Sequence, residues 1–284
     1  MEKITIIPSS KKFGINLKEL FKYKDLMLLL VKRNFVASYK QTILGPAWAF
    51  IQPLLTTFVF TFIFGRLAGL STDGAPHFLF YLCSNIIWQY FSHSLTGISN
   101  TFIGNSHLFK KVYFPRLIMP LTSVITNLIS LGIQAILFTA AVVCFDIFLN
   151  ESIVISLWIL FVPVLIIMCA MLAIGLGIII CSITTKYRDL LMLVSFGVQL
   201  WLYATPVAYG TSIIPAQLLD IYMLNPMTPI MCMMRYSVLG SLSDNMTLEY
   251  LLKHLGISAV IIFVVLMIGI AVFNKAERTF VDTI

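Results

Sequence analysis

Formal charges fall along this chain in short clusters, and the intervals between them are long and apolar. The first interval, Gln41–Gly65, runs 25 residues without a charge. Gly74–Phe109 holds 36, with its apolar part at about His77–Ile98. Leu117–Phe145 has 29, Ser152–Thr185 has 34 and His254–Asn274 has 21. Leu190–Leu219 has 30, but Pro206 and Pro215 interrupt it, so only about 190–209 reads as one helix. A stretch of about 20 apolar residues covers a bilayer core. The pattern predicts an all-α polytopic membrane protein with six spans, at about 46–65, 77–99, 117–145, 154–181, 190–209 and 254–274.

One further apolar run, Ile221–Met234, is too short to cross at 14 residues and holds Pro226 and Pro229. Backbone leaves a helix inside lipid only where protein or water satisfies it. The run and its flanks, Ile213–Leu239, therefore read as a re-entrant hairpin on the outer side, between the fifth and sixth spans. Asn225 is placed to cap a half-helix at its turn. Arg235 belongs near the outer interface or on an aqueous path, because a guanidinium facing lipid is costly. A plain amphipathic outer loop is the competing reading.

Before the first span, Asp25–Gln41 gathers Asp25, Lys32, Arg33 and Lys40 in one quadrant of a helical wheel. Leu28, Val31, Phe35 and Tyr39 form a stripe beside them, with Leu29 and Val36 among the charges. This suits an interfacial helix on an anionic leaflet, with membrane lipids as its partner. Six spans put both termini on one side. Sixteen of the 19 lysines and arginines fall on that side and three on the other, whereas the 12 acids divide equally. Cation bias makes that side the cytoplasm. The organisation expected is a cytoplasmic segment at 1–45, one transmembrane domain at 46–273 and a cytoplasmic tail at 274–284.

Composition agrees. Hydrophobic residues make up 59% of the chain and charged residues 11%, against about 25% charged in soluble domains. Six lysines in the first 25 residues, with no cleavage site after a short apolar run, do not read as a secretory signal. The net charge of +7 has its explanation in the membrane, which argues against nucleic acid as a partner. The five cysteines form no CxxC pair and read as small packing residues.

The chain has no P-loop motif, no HExxH and no GxSxG, so no catalytic residue and no metal ligand is assigned. His93 is the one histidine inside a span and reads as packing or pore polarity. The spans do hold uncharged polarity and aromatics: Trp48, Gln52, Trp88, Gln89, Tyr90, Asn127, Gln134, Gln199, Trp201 and Tyr203. Trp88, Tyr203 and Tyr209 fit interface belts. Gln52, Gln134 and Gln199 should face the bundle or a cavity. Rings beside amides suit a sugar path, although helix–helix packing uses the same amides.

Seven segments carry a likeness in order: 39–56 (YKQTILGPAWAFIQPLLT), 59–69, 99–121 (with KKVYFPR), 186–190 (KYRDL), 199–209 (QLWLYATPVAY), 224–230 (LNPMTPI) and 276–284. They resemble the permease subunit of bacterial polysaccharide ABC exporters of the ABC-2 class, most of all O-antigen export permeases. The resemblance covers about residues 25–284 and implies a homodimer on two copies of a separate P-loop ATPase, in the bacterial inner membrane. ATP and Mg would sit on that partner, with no cofactor in this chain. The substrate implied is a lipid-linked glycan. Coupling helices would lie at about Asn105–Pro115 and Thr185–Asp189, with Lys110, Lys111, Tyr113, Arg116, Tyr187, Arg188 and Asp189 as coupling residues. Arg33, Tyr39 and Lys40 would belong to an inner gate, and Asn225, Pro226 and Arg235 to an outer one. Trp48, Gln52, Trp88, Gln199 and Tyr203 are the residues assigned to the path on chemistry. The competing functions are an ABC-2 permease for teichoic acid, capsule, a drug or a small lipid, and a stand-alone flippase or membrane enzyme.

Overall fold

The computed structural model describes residues 17–40, 44–105, 108, 114–149, 157–184, 187 and 189–280. Among them the regular structure is entirely helical. Two helices, α1 (Leu17–Lys22) and α2 (Lys24–Tyr39), precede α3 (Trp48–Phe60), which continues as a π-helical turn over Thr61–Leu67. Then come α4 (His77–Ser99), the single turn α5 (Thr101–Gly104) and α6 (Ile118–Leu149). A 3-10 turn, Leu157–Phe161, leads into α7 (Val162–Thr184). The rest is α8 (Leu190–Ala204), α9 (Ala216–Leu224), α10 (Met227–Leu239) and α11 (Leu248–Phe280).

Four of the described helical stretches are long and apolar enough to cross a membrane: 48–67, 118–148, 157–184 and 248–275. The second expected span, α4, has a suitable length of 23 residues but carries Ser84, Asn85, Gln89, Ser92 and His93. The bundle explains why it tolerates them. Every residue from Leu79 to Phe91 is buried, with α3, α6, α7, α8 and α10 packed around the helix. Protein rather than lipid surrounds Ser84, Asn85 and Gln89, whereas Ser92 is half-buried and His93 is exposed at the edge of a cleft. Gln134 on α6 donates to Gln89 Oε1 at 3.3 Å, and Asn127 donates to Ser94 Oγ at 3.2 Å. Gln134 thus faces the bundle, as its cost in lipid requires. The helix in the fifth expected span, α8, is 15 residues long. It stops at Ala204 because Thr205, which precedes Pro206, is extended.

Small residues set the tightest approach. A Cβ at Gly269 of α11 would lie 2.6 Å from the Gly175 carbonyl oxygen of α7, and one at Gly175 would lie 3.0 Å from the Leu266 backbone. On the α4 side of α7, a Cβ at Gly177 would lie 2.7 Å from Ile98. Glycines thus let α7 press against α11 and α4, the means by which apolar helices associate where burial from water cannot drive them.

At the N-terminal end, α2 packs on the start of α6. Leu30 is buried there with Phe114, Ile118 and Met119. The expected stripe is not uniformly packed: Val31 is buried, Phe35 is half-buried and Leu28 is exposed. The neighbour selects the face. Tyr23, Met27 and Leu30 turn toward α6, while Leu28 and Leu29 are left outward. The proline-broken run folds as two short helices meeting at Asn225-Pro226. Ten of the 13 residues of α10 are buried, against α4, α7 and α11.

Candidate functional site

The turn between α9 and α10 is organised by one side chain. Asn225 Oδ1 accepts from Trp201 Nε1 and from the Met227 amide, both at 3.2 Å. Its Nδ2 donates to Thr205 Oγ1 at 2.9 Å. The bond from Met227 satisfies an amide at the first turn of α10, the capping role expected of Asn225. Arg235 corrects the expectation of an aqueous path, being only 2% exposed. Its Nη1 donates to the Pro206 carbonyl at 2.8 Å, and its Cζ lies 4.3 Å from the Phe80 ring centroid. A carbonyl beside the Thr205-Pro206 break and an aromatic face supply in protein what the guanidinium lacks in lipid.

A second tie closes the same end. Asp73, in the loop before α4, accepts from the Thr211 amide at 2.9 Å, the Thr211 hydroxyl at 3.3 Å and the Ser212 amide at 3.2 Å. Its carbonyl accepts from Ser241 at 2.8 Å. Asp73 adopts φ 52°, a region that Asp tolerates better than most residues. Gly210 is required here by contact, since a Cβ would lie 2.5 Å from Asp73 Oδ1. Three segments thereby meet at one residue, the 211–212 segment on its carboxylate and Ser241 on its carbonyl. Replacing Asp73 with Ala strands two amides, and we expect a loss of about 1–2 kcal/mol. Thermal melting of the detergent-purified protein checks it, and an unchanged Tm would remove Asp73 from this role.

On α11, Tyr250 donates to Asp220 Oδ1 of α9 at 2.6 Å, and His254 Nε2 lies 3.6 Å from the same oxygen. The hairpin is thus fastened toward α8 through Asn225 and toward α11 through Asp220. Asp73, Trp201, Thr205 and the Asp220–Tyr250–His254 group were not assigned roles from the sequence. Thr205-Pro206 was the available signal, as a residue pair that ends a helix.

At the opposite end, the expected coupling residues are described in part. Arg116 is half-buried beside buried Phe114, while Tyr187 and Asp189 are exposed just before α8. Lys110, Lys111, Tyr113 and Arg188 lie outside the described residues. Arg33 and Lys40 are exposed, with Arg33 Nη2 donating to Asn34 Oδ1 at 3.0 Å. Tyr39 ends α2, and its side chain lies outside the description.

The residues expected on a path divide into two groups. Trp48, Gln52, Gln199 and Tyr203 are exposed. Trp88 is buried, with its ring edge-on to Trp201 at 6.4 Å. Gln52 and Gln199 therefore do not face the interior of one chain, because α3 and α8 turn those positions outward. Among the described residues, two clefts of similar size open on the surface. One of 410 Å³ is lined by His93, Thr96, Asn100 and Ser195 near the start of α8. The other, of 400 Å³, is lined by Tyr203, Tyr209, Tyr222 and Pro215 toward the hairpin.

The sequence profile of the ABC-2 type transporter family matches residues 25–239, from α2 to the last residue of α10. The chain belongs to the ABC-2 type transporter family. It is 27% identical over 274 residues to an O-antigen export system permease protein RfbA of Klebsiella pneumoniae, covering 96% of this chain and 99% of the relative. A protein of the same name from Myxococcus xanthus is 28% identical over 217 residues, covering 75% of this chain and 80% of the relative. An ABC-2 membrane subunit is a permease component and not itself the catalyst. The Klebsiella likeness spans more than the family profile, taking in α11 as well as the hairpin.

Proposed function

We propose that this chain is the channel-forming permease subunit of an ATP-driven exporter that moves a lipid-linked, O-antigen-like polysaccharide out across the bacterial cytoplasmic membrane. The observation that carries the reading is the near end-to-end likeness to O-antigen export permeases, 96% of this chain against 99% of the relative. In this reading α4 and α8, with the residues just after α8, join the four longer helices as six spans, N-in and C-in. Sixteen of the 19 cations then lie inside. The α9–α10 hairpin enters from the outer side.

The subunit works as a homodimer on two copies of a P-loop ATPase, which holds ATP and Mg. Gln52 and Gln199, exposed on apolar helices, support a second copy, since amides facing lipid lose hydrogen bonds that a shared lumen would restore. Trp48 and Tyr203 would offer ring faces to sugars in that lumen, with Trp88 packed behind it. Arg116, Tyr187 and Asp189, with Lys110, Lys111, Tyr113 and Arg188, form the docking surface for the ATPase. Arg33, Tyr39 and Lys40 lie at the inner mouth, and Asn225, Pro226 and Arg235 shape the outer gate.

The test is co-reconstitution with the ATPase subunit in proteoliposomes. A polyprenyl-linked oligosaccharide should stimulate ATP hydrolysis several-fold and appear on the far side. Equal stimulation by a simple lipid carrying no glycan would overturn the substrate assignment.

A further inference from the structure

We infer that Asn225 is a positioning residue: it fastens the hairpin to the end of α8, so that a displacement of the 187–189 segment reaches α9 and α10 along α8. The inference rests on the export reading above, because it takes that segment as the place where the ATPase acts.

The first end of the argument is continuity. The Leu190 amide donates to the Tyr187 carbonyl at 3.4 Å and the Met192 amide to Asp189 at 3.1 Å. Tyr187 and Asp189 are therefore each tied by a backbone hydrogen bond to the first turn of α8. A helix of this length, about 22 Å, moves as a stiff unit.

The middle of α8 is lightly held. Val198 is the one buried residue in the helix, while Met192, Leu193, Phe196, Leu200 and Tyr203 are all more than half exposed. Few contacts within the protomer would resist a shift or tilt of this rod. Its far end is different. Trp201 is set edge-on against Phe91 with centroids 5.2 Å apart, and residues Thr205 to Ala208 are buried.

At that end Asn225 uses both atoms of its amide. Oδ1 takes one bond from α8 through Trp201 Nε1 and one from α10 through the Met227 amide, while Nδ2 reaches Thr205. A single carboxamide thus bridges the rod and the turn of the hairpin. Arg235 adds a second tie from α10 to the Pro206 carbonyl. Partners for these donors are scarce inside the packed bundle, so breaking the bridge leaves polar groups stranded, and a moving α8 carries the hairpin turn with it. This is a physical connection between two ends of the bundle and not mere proximity.

Substitutions separate the joint from simple packing. Asn225→Leu keeps bulk and removes all three side-chain bonds. Asn225→Asp keeps two oxygen acceptors, and the Thr205 hydroxyl can turn to donate. Trp201→Phe deletes the Nε1–H together with part of the ring, and leaves an aromatic ring against Phe91.

The experiment uses the full chain with its ATPase subunit in lipid nanodiscs. Cys144→Ser removes the one exposed cysteine among the five, and Gln217→Cys places a reporter on the exposed side of α9. Maleimide labelling is timed nucleotide-free and after ADP–vanadate trapping, with trapped ADP measured in each preparation. With Asn225 intact, trapping should change the labelling rate by about fivefold or more, the scale set by one or two hydrogen bonds. Asn225→Leu should reduce that change at least twofold, the Arg235 tie to Pro206 remaining, and Asn225→Asp should restore it. Should Asn225→Leu fail to assemble, Trp201→Phe must show at least a twofold smaller change. A full response in Asn225→Leu, or in Trp201→Phe where that variant replaces it, overturns the joint and leaves the export reading standing. No response to trapping with Asn225 intact, or no ATPase bound, overturns the export reading and this inference together.

Discussion

Replacing Gly269 with Leu is expected to lower the thermal stability of the purified protein by roughly 2–6 °C, the result of about 1–3 kcal/mol of overpacking in a chain of this size. The obstacle is backbone, not side chain. A Cβ at Gly269 would meet the Gly175 carbonyl oxygen at 2.6 Å and Ile178 at 2.9 Å. Neither carbonyl nor helix axis can rotate out of the way, so α7 and α11 must separate, and α7 is already pressed on α4 through Gly177. The control lies on the same helix: a Cβ at Gly256 has nothing within 4 Å. Gly256→Leu should leave the melting temperature within about 1 °C, because a surface change away from such features is nearly neutral. Equal shifts for both variants in a detergent melting assay would show that the crossing is not glycine-dependent.

The difference between these two glycines also marks what the sequence could and could not reveal. Apolar intervals between charges were enough to place α3, α6, α7 and α11, because length and hydrophobicity are properties of a segment alone. They were also enough to isolate α4, yet its polar content acquires meaning only from the five helices that surround it. Gln134 and Gln52 look alike in the sequence. One points at Gln89 across an interhelical contact and the other points away from the protomer. Which face of a helix is inward is fixed by its neighbours, and in membrane segments hydrophobicity scarcely varies around the helix. The same limit hid Leu30 in favour of Leu28.

The site followed the same rule. Asn225 was legible because an Asn-Pro pair amid apolar residues has few roles besides a turn and a cap. Its partners, Trp201 and Thr205, are 24 and 20 positions away, and no local signal pairs them. Asp73 is 138 positions from Thr211 and reads as an ordinary loop acid until the fold brings them together. Arg235 was legible as anomalous. That it is held by Pro206 and Phe80 and not by water depended on where the chain returns.

Reversing two charges together, Lys111→Glu with Arg116→Glu, is expected to abolish export and to reduce the ATPase subunit recovered with the permease by about tenfold or more, the effect of placing like charge at an interface that needs complementary charge. Arg116 stands two residues after buried Phe114 and at the head of α6, where Ile118 and Met119 pack on α2. A surface carried by so firmly seated a segment can receive force from a partner and pass it to the bundle. Misinsertion is the obvious rival explanation, and the cation count answers it. Removing two of 16 lysines and arginines leaves 14 against three across the proposed topology, a bias that still directs the same orientation. Lys275→Glu, an exposed change on the same proposed side, serves as the control and should retain the ATPase. Co-purification in native membranes, scored beside the amount of permease present, reads the outcome. Normal recovery of the ATPase with normal export in the double variant would move the docking surface away from the segment that precedes α6.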